Sequence, residues 1–277
     1  MPPRASEATK DMTTREIIMF FTYFIGPAGS GKTTLTSSLA DWIRNASSEI
    51  SVACVNLDPG CRTLPYTPDV DVRDYVDYDK IMQDYNLGPN GALVAATDMI
   101  VMHLDEIREE IRDTRSDYIL VDTPGQIELF SFRVAGPRIC KGLGGTKNAI
   151  CFLFEPTLCS DPAGFISMLL LSSAVEYRFF LPHFNLLAKC DMLKDEQVDE
   201  IVEWSEEFFK LTAAIEDRTE GIEREKTLAM AQMFNEIGST SSLIPVSSKS
   251  VMGIDNLYAE LQRTFAGGED FETDDAA

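Results

Sequence analysis

Two runs of residues in this chain have the types and spacing needed to hold a phosphate chain and cut it. The first is Gly26-Pro27-Ala28-Gly29-Ser30-Gly31-Lys32-Thr33-Thr34, which fits G-x-x-x-x-G-K-[ST]. Glycine lets the backbone curl until successive N–H groups point inward, and a helix beginning there adds its positive end. Gly29, Ser30, Gly31, Lys32, Thr33 and Thr34 are therefore expected to line a phosphate site. The Lys32 ammonium would reach the β- and γ-phosphates, and the Thr33 hydroxyl would ligate Mg²⁺. The second run is Asp122-Thr123-Pro124-Gly125-Gln126. Asp122 would hold the same metal, usually through water. The Gly125 N–H can meet the γ-phosphate and so report its presence. Gln126 follows the glycine directly, where a side-chain amide can position an attacking water.

A third run addresses the base. Ala188-Lys189-Cys190-Asp191 resembles N-K-x-D, with Ala188 standing where that motif has asparagine. A carboxylate at Asp191 can accept two hydrogen bonds from guanine, and adenine lacks those donors. The Lys189 stem can lie across the ring. Further on, Ser247-Ser248-Lys249 resembles the S-A-K loop that completes a guanine pocket, with Ser248 at its centre. GTP is the substrate these residues favour.

Such groups must be carried by elements that bring them together. Short β-branched and aromatic runs at Ile18–Ile25, Ser51–Leu57, Asp117–Val121, Ala149–Phe154, His183–Ala188 and Leu243–Val246 read as strands. Helical spacing follows at Leu35–Ala46, Asn90–Arg112, Gly164–Leu181, Asp195–Ile237 and Ile254–Phe265. Strands alternating with helices imply an α/β fold: a three-layer arrangement with a mostly parallel sheet and helices on both faces. Ligands bind such sheets beyond the strand C-termini, where the three runs lie. One domain is expected over residues 16–266, between a loose tail at 1–15 and a solvated acidic tail at 267–277.

The chain has 277 residues, and 24 Lys+Arg against 45 Asp+Glu give a net charge of −21. That balance argues against direct nucleic-acid binding, which needs clustered cations, and against an anionic membrane surface. Six cysteines without a C-x-x-C pair, and only His103 and His183 beside them, offer no zinc pattern. Reduced thiols point to a cytoplasmic protein. The longest apolar stretch, Phe165–Leu181, contains Glu176 and Arg178 and falls short of the ~20 apolar residues a membrane span requires.

The order of further motifs resembles one family. Asn56-Leu57-Asp58-Pro59-Gly60 is followed by Leu64-Pro65-Tyr66, Asp71-Val72-Arg73-Asp74-Tyr75 and Leu87-Gly88-Pro89-Asn90-Gly91-Ala92. Together with Asp122-Thr123-Pro124-Gly125-Gln126-Ile127-Glu128, this is similar to the GPN-loop GTPases, over about Met19 to Phe265, and most of all to the archaeal type. The resemblance implies a P-loop GTPase domain that works as a homodimer. Gly88, Pro89 and Asn90 of one subunit would reach the other's nucleotide site, where Asn90 would contact the transferring phosphate or its attacking water. It also implies that Asp58 lies near the metal or that water. Lys32, Gln126, Asn90 and Asp58 are thus the catalytic candidates. Eukaryotic relatives are linked to RNA polymerase assembly, so a protein client is implied, with RNA polymerase components or another complex as its class. Gly60 stands where alanine is frequent.

Two other readings use the same residues. In one, GTP locks a dimeric adaptor that grips a client, and hydrolysis is incidental. In the other the protein uses ATP, although related dimeric ATPases carry an extra lysine early in the phosphate loop, where this chain has Pro27 and Ala28. A small-molecule kinase needs an arginine-rich lid, for which Arg133 and Arg138 are the only nearby candidates.

Overall fold

The computed structural model describes residues 18–145, 147–238 and 242–266. The expected tails, 1–15 and 267–277, lie outside them. Among the described residues seven strands form one sheet: β1 Phe20–Ile25, β2 Val52–Asn56, β3 Val70–Asp71, β4 Tyr118–Asp122, β5 Asn148–Phe154, β6 His183–Leu187 and β7 Ile244–Pro245. Their order is β3-β2-β4-β1-β5-β6-β7. Every strand pairing is parallel. Phe24 pairs with Asp122, and Ile25 with Phe152, so both phosphate runs leave neighbouring strands at the same sheet edge.

The helices are α1 Lys32–Ala46, α2 Tyr78–Asp84, α3 Pro89–Ile100, α4 Leu104–Asp113, α5 Ile127–Phe130, α6 Ala135–Gly144, α7 Pro156–Cys159, α8 Pro162–Phe179, α9 Asp195–Glu206, α10 Phe208–Arg218, α11 Gly221–Ile237 and α12 Ile254–Ala266. They cover both faces. Tyr23, Ile25, Val121 and Phe152 point into a core shared with Ala96 of α3, Ile111 of α4, Ile139 of α6 and Phe165 of α8. The alternate residues, Phe24, Leu120, Cys151 and Leu153, meet Leu39 of α1 and Leu257 of α12 in a second core. Strands buried on both faces read as unbroken apolar runs, as these do.

The elements depart from the sequence expectations in several places, four of which bear on the packing. Helix α1 starts at Lys32, not Leu35, because Gly31, at φ 104, is the last residue of the loop. The helix expected over Asn90–Arg112 is two. A 3-10 turn at Val101–His103 intervenes, and His103 leaves helical conformation at φ −107, ψ 11, re-aiming α4 so that Ile107 and Ile111 face inward. The acidic stretch Asp195–Ile237 is three helices, broken at Glu207 (φ −124, ψ 97) and before Gly221 (φ 57). Helix α6 escapes a sequence reading because Gly136 and Pro137 look like breakers. The proline sits in the first turn, where its missing N–H costs nothing. The glycine is needed for close approach, since a Cβ there would stand 2.0 Å from the Phe130 carbonyl oxygen.

Candidate nucleotide site

The first run forms the turn between β1 and α1. Gly29 (φ 76) and Gly31 (φ 104) take positive φ, which lets the loop curl. Lys32 is 4% exposed. Its Nζ donates to the carbonyls of Gly26 (2.9 Å), Pro27 (2.9 Å) and Gly125 (3.0 Å), gathering both phosphate runs around one ammonium. Burial pulls Lys32 down to about 8, against the attraction of Asp122 and Asp58. It is still mostly charged at neutral pH. The Ser30 hydroxyl is buried beside it without a partner among the described residues.

The second run leaves β4, and the Thr123 hydroxyl pins it by donating to the Phe24 carbonyl at 2.6 Å. Asp122 is 1% exposed, and its Oδ2 accepts from the Tyr66 hydroxyl at 3.2 Å. Among the described residues Oδ1 is buried with no hydrogen-bond partner at bonding geometry. Burial pushes the carboxyl up to about 6, against the pull of the neighbouring Thr33, Lys32 and Tyr66. A buried carboxylate oxygen with no donor, beside a threonine hydroxyl, fits a hard divalent cation. Mg²⁺ takes one or two such protein ligands and completes its shell with phosphate and water.

Asp58 brings the end of β2 into the same place. Its Oδ1 accepts from the Gly60 N–H at 2.9 Å and its Oδ2 from the Gly125 N–H at 3.0 Å. The N–H expected to meet a γ-phosphate therefore faces a carboxylate of the same chain. Asn56 supports this loop: its Oδ1 accepts from the Asp58 N–H (3.0 Å) and its amide donates to Asp71 (3.0 Å), which also holds Arg73. Gln126 is exposed at the entrance to α5.

Gly88 caps α3, Pro89 opens it, and Asn90 follows, exposed. The Tyr78 hydroxyl donates to the Pro89 carbonyl at 3.3 Å. Asn90 makes no hydrogen bond to the phosphate loop or to Asp122–Gln126 within the described chain. Arg133, one of the two lid candidates, is taken by Asp98 at 3.0 Å.

The third run closes the far side. The Lys189 Nζ donates to the Gly29 carbonyl, and its stem lies against Gly31. The Ser247 hydroxyl donates to Asp191 Oδ1 at 2.7 Å, and the Cys190 N–H donates to the Val246 carbonyl at 3.2 Å. These bonds join the loops after β6 and β7. They line a cleft of about 220 Å³ with Ser30, Thr34, Ala188 and Ser248, directly beside the phosphate loop. Ala188 is 3% exposed and contributes only its methyl and backbone. Tyr66 is the site residue to which sequence reasoning gave no role. Its signal was its place in Leu64-Pro65-Tyr66, between Asp58 and Asp71.

Residues 24–267 match a family described as "Conserved hypothetical ATP binding protein". The GPN-loop GTPase PAB0955 of Pyrococcus abyssi is 30% identical over 238 residues, covering 84% of this chain and 92% of that protein. The chain belongs to the GPN-loop GTPase family. A crystal structure of PAB0955, described as a GTPase in apo form, matches with a TM-score of 0.78 at 28% identity, over 88% of this chain and 96% of that one. GPN-loop GTPase 1 of Dictyostelium discoideum is 30% identical over 240 residues, which are 86% of this chain and 59% of that longer relative. The GPN-loop resemblance and the parallel α/β fold expected from sequence both hold. Among the described residues no helix is long and apolar enough to cross a membrane.

Proposed function

We propose that this protein is a Mg²⁺-dependent GTPase that works in the cytoplasm as a homodimer, with Asn90 of one copy acting at the nucleotide site of the other. The observation that carries the reading is the convergence of Lys32, Asp122, Gly125 and Asp58 from three strand ends, beside a cleft bearing Asp191. The family names relatives as GTPases, while the matching family description says ATP. Asp191 favours guanine, since its carboxylate can accept from the N–H groups that adenine lacks.

Each residue then has a role. The loop N–H groups and Lys32 hold the β- and γ-phosphates, the ammonium exchanging carbonyl oxygens for phosphate oxygens. Thr33 and Asp122 would hold Mg²⁺, whose charge would offset that of the phosphates. The γ-phosphate competes with the Asp58 carboxylate for the Gly125 N–H, so its arrival frees Asp58 to approach the attacking water. Gln126, and Asn90 from the second copy, orient that water and stabilise the developing charge. Exchange of the Asp58–Gly125 bond is the step that couples the nucleotide to the surrounding loops, and through them to a protein client such as components of an RNA polymerase assembly. The same bond favours a second reading, a nucleotide-stabilised adaptor with slow turnover, because the site satisfies its own γ-phosphate donor.

Hydrolysis of GTP and ATP with Mg²⁺, measured across a protein concentration series, tests both. Wild type should prefer GTP, with specific activity rising with concentration. Asn90→Ala and Gln126→Ala should each lower turnover by about 10²–10³ with the fold intact, the range for losing one donor to a transition state. Wild-type rates in both variants would refute the catalytic roles. Tight GTP binding with negligible turnover would favour the adaptor.

A further inference from the structure

At the opposite edge of the sheet, where the strands begin, lies a cleft unlike the rest of this acidic surface. Its floor is apolar, made by Met19, Phe21 and Leu143. Four of the chain's 24 cations rim it: Arg108 and Arg112 from α4, Lys141 from α6, and Lys147 at the start of β5. Three of them, Arg108, Arg112 and Lys141, are short of acceptors among the described residues. Arg108 gives one nitrogen to Asp105 at 2.7 Å, but among the described residues its Nε–H is buried without an acceptor. Arg112 and Lys141 are exposed and form no ion pair among the described residues. A buried donor left without an acceptor is costly, and clustered cations repel one another, so the cleft gains from an acidic occupant.

The fold delivers such an occupant to its edge. Phe265, in the last turn of α12, stacks on Phe20 with ring centroids 4.7 Å apart. The Lys147 Nζ stands 6.0 Å from the centre of that same Phe20 ring. The chain therefore leaves α12 beside the basic rim. After α12 the sequence runs through Gly267-Gly268 to Glu269, Asp270, Phe271, Glu272, Thr273, Asp274 and Asp275. This stretch has five carboxylates and no cation, with a single aromatic among them. Eleven residues can span up to about 36 Å, ample to pass from Phe20 across the cleft.

We propose that the basic cleft is a docking site for an acidic, aromatic-bearing peptide, and that its occupant is the chain's own segment 267–277. The carboxylates would meet Arg112 and Lys141, and Phe271 would cover the apolar floor. This inference is independent of the nucleotide chemistry.

Zero-length carbodiimide coupling of the full chain, read by mass spectrometry, tests it. Lys141 should couple to carboxylates of 269–275 within one copy, as a mixture of light and heavy isotope-labelled protein would reveal. Coupling should be lost in Arg112→Glu, in Phe271→Ala and in about 1 M salt, where the Debye length falls to about 3 Å. Phe271 lies outside the described residues, and Phe271→Ala is a second variant that keeps the test decisive if Arg112→Glu fails to fold. Coupling between light and heavy copies, coupling to Glu7, Asp11 or Glu16 instead, or yields that none of these changes alters would each overturn the proposal.

Discussion

Asp122 has one oxygen held by Tyr66 and the other buried without a hydrogen-bond partner among the described residues, so the tyrosine hydroxyl sets which way the carboxylate faces. Tyr66→Phe keeps the ring that packs against the second core and removes only that donor. Groups that orient a metal ligand typically cost 10–100-fold in metal affinity when lost. We expect Tyr66→Phe to raise the Mg²⁺ concentration that retains fluorescent GDP by about tenfold. An unchanged Mg²⁺ titration would reduce Tyr66 to packing. His183 gives a second residue-scale prediction. Its Nε2 lies 2.8 Å from the Ser172 hydroxyl, its Nδ1 is buried without a partner among the described residues, and burial pushes it down to about 4. The unfolded imidazole titrates near 6.5. As pH falls from there to about 4, the unfolded chain takes up a proton that the folded chain refuses, so stability drops by about 3 kcal/mol and then levels off. Asp122 works in the opposite sense: raised to about 6, it binds its proton first in the folded state and adds stability on acidification. Urea unfolding of wild type and His183→Gln at pH 7 and pH 4 separates the two. The wild type should lose the extra stability, and a pH-independent difference would refute the assignment. Lys32, Thr33, Asp122 and Asp191 were legible in the sequence because each sits at a fixed spacing inside one loop. Tyr66 was not, because its partner lies 56 residues away and only the sheet order brings them together.

At the scale of elements, the loop after β2 and helix α3 touch at one point. A Cβ on Gly60 would come 2.4 Å from the Leu93 Cδ2 on α3, three residues past Asn90. That atom is the end of a flexible side chain, so Gly60→Ala can be accommodated by moving Leu93. Gly136 is the contrast, because there the obstacle is the Phe130 backbone oxygen. We expect Gly60→Ala to cost about 1 kcal/mol, at the low end for overpacking, yet to lower concentration-dependent GTP hydrolysis by displacing the Gly-Pro-Asn turn. Gly136→Ala should cost about 3 kcal/mol or more by separating α5 from α6. Thermal melts and hydrolysis rates for both variants check this. Full activity in Gly60→Ala would uncouple the loop from α3. The long buried strands were legible as apolar runs, whereas β3 has two residues and no pattern to read. The break between α3 and α4 was hidden because apolar spacing continues through Val101, and only the His103 backbone departs from the helix.

For the whole molecule, alternation of strand and helix sufficed to foresee a parallel sheet covered on both faces. What alternation could not reveal was how charge is laid out. Ion pairs such as Arg133–Asp98 and Lys210–Glu203 sit at the surface, where each contributes at most about 1 kcal/mol. With 45 acidic side chains against 24 basic ones, at least 21 carboxylates have no cation of their own to pair with. Their mutual repulsion opposes the compact state. Salt screens that repulsion, since the Debye length shrinks from about 30 Å at 0.01 M to about 10 Å at 0.1 M. It also weakens the few attractive pairs, but these are outnumbered. Raising NaCl from about 0.01 M to about 0.5 M should therefore raise the Tm, by about 2–4 °C for each kcal/mol of repulsion removed. Scanning calorimetry over that range is the direct measurement. A Tm that stays flat or falls would mean that the attractive pairs, the basic cleft and its acidic occupant included, outweigh the net charge in setting stability.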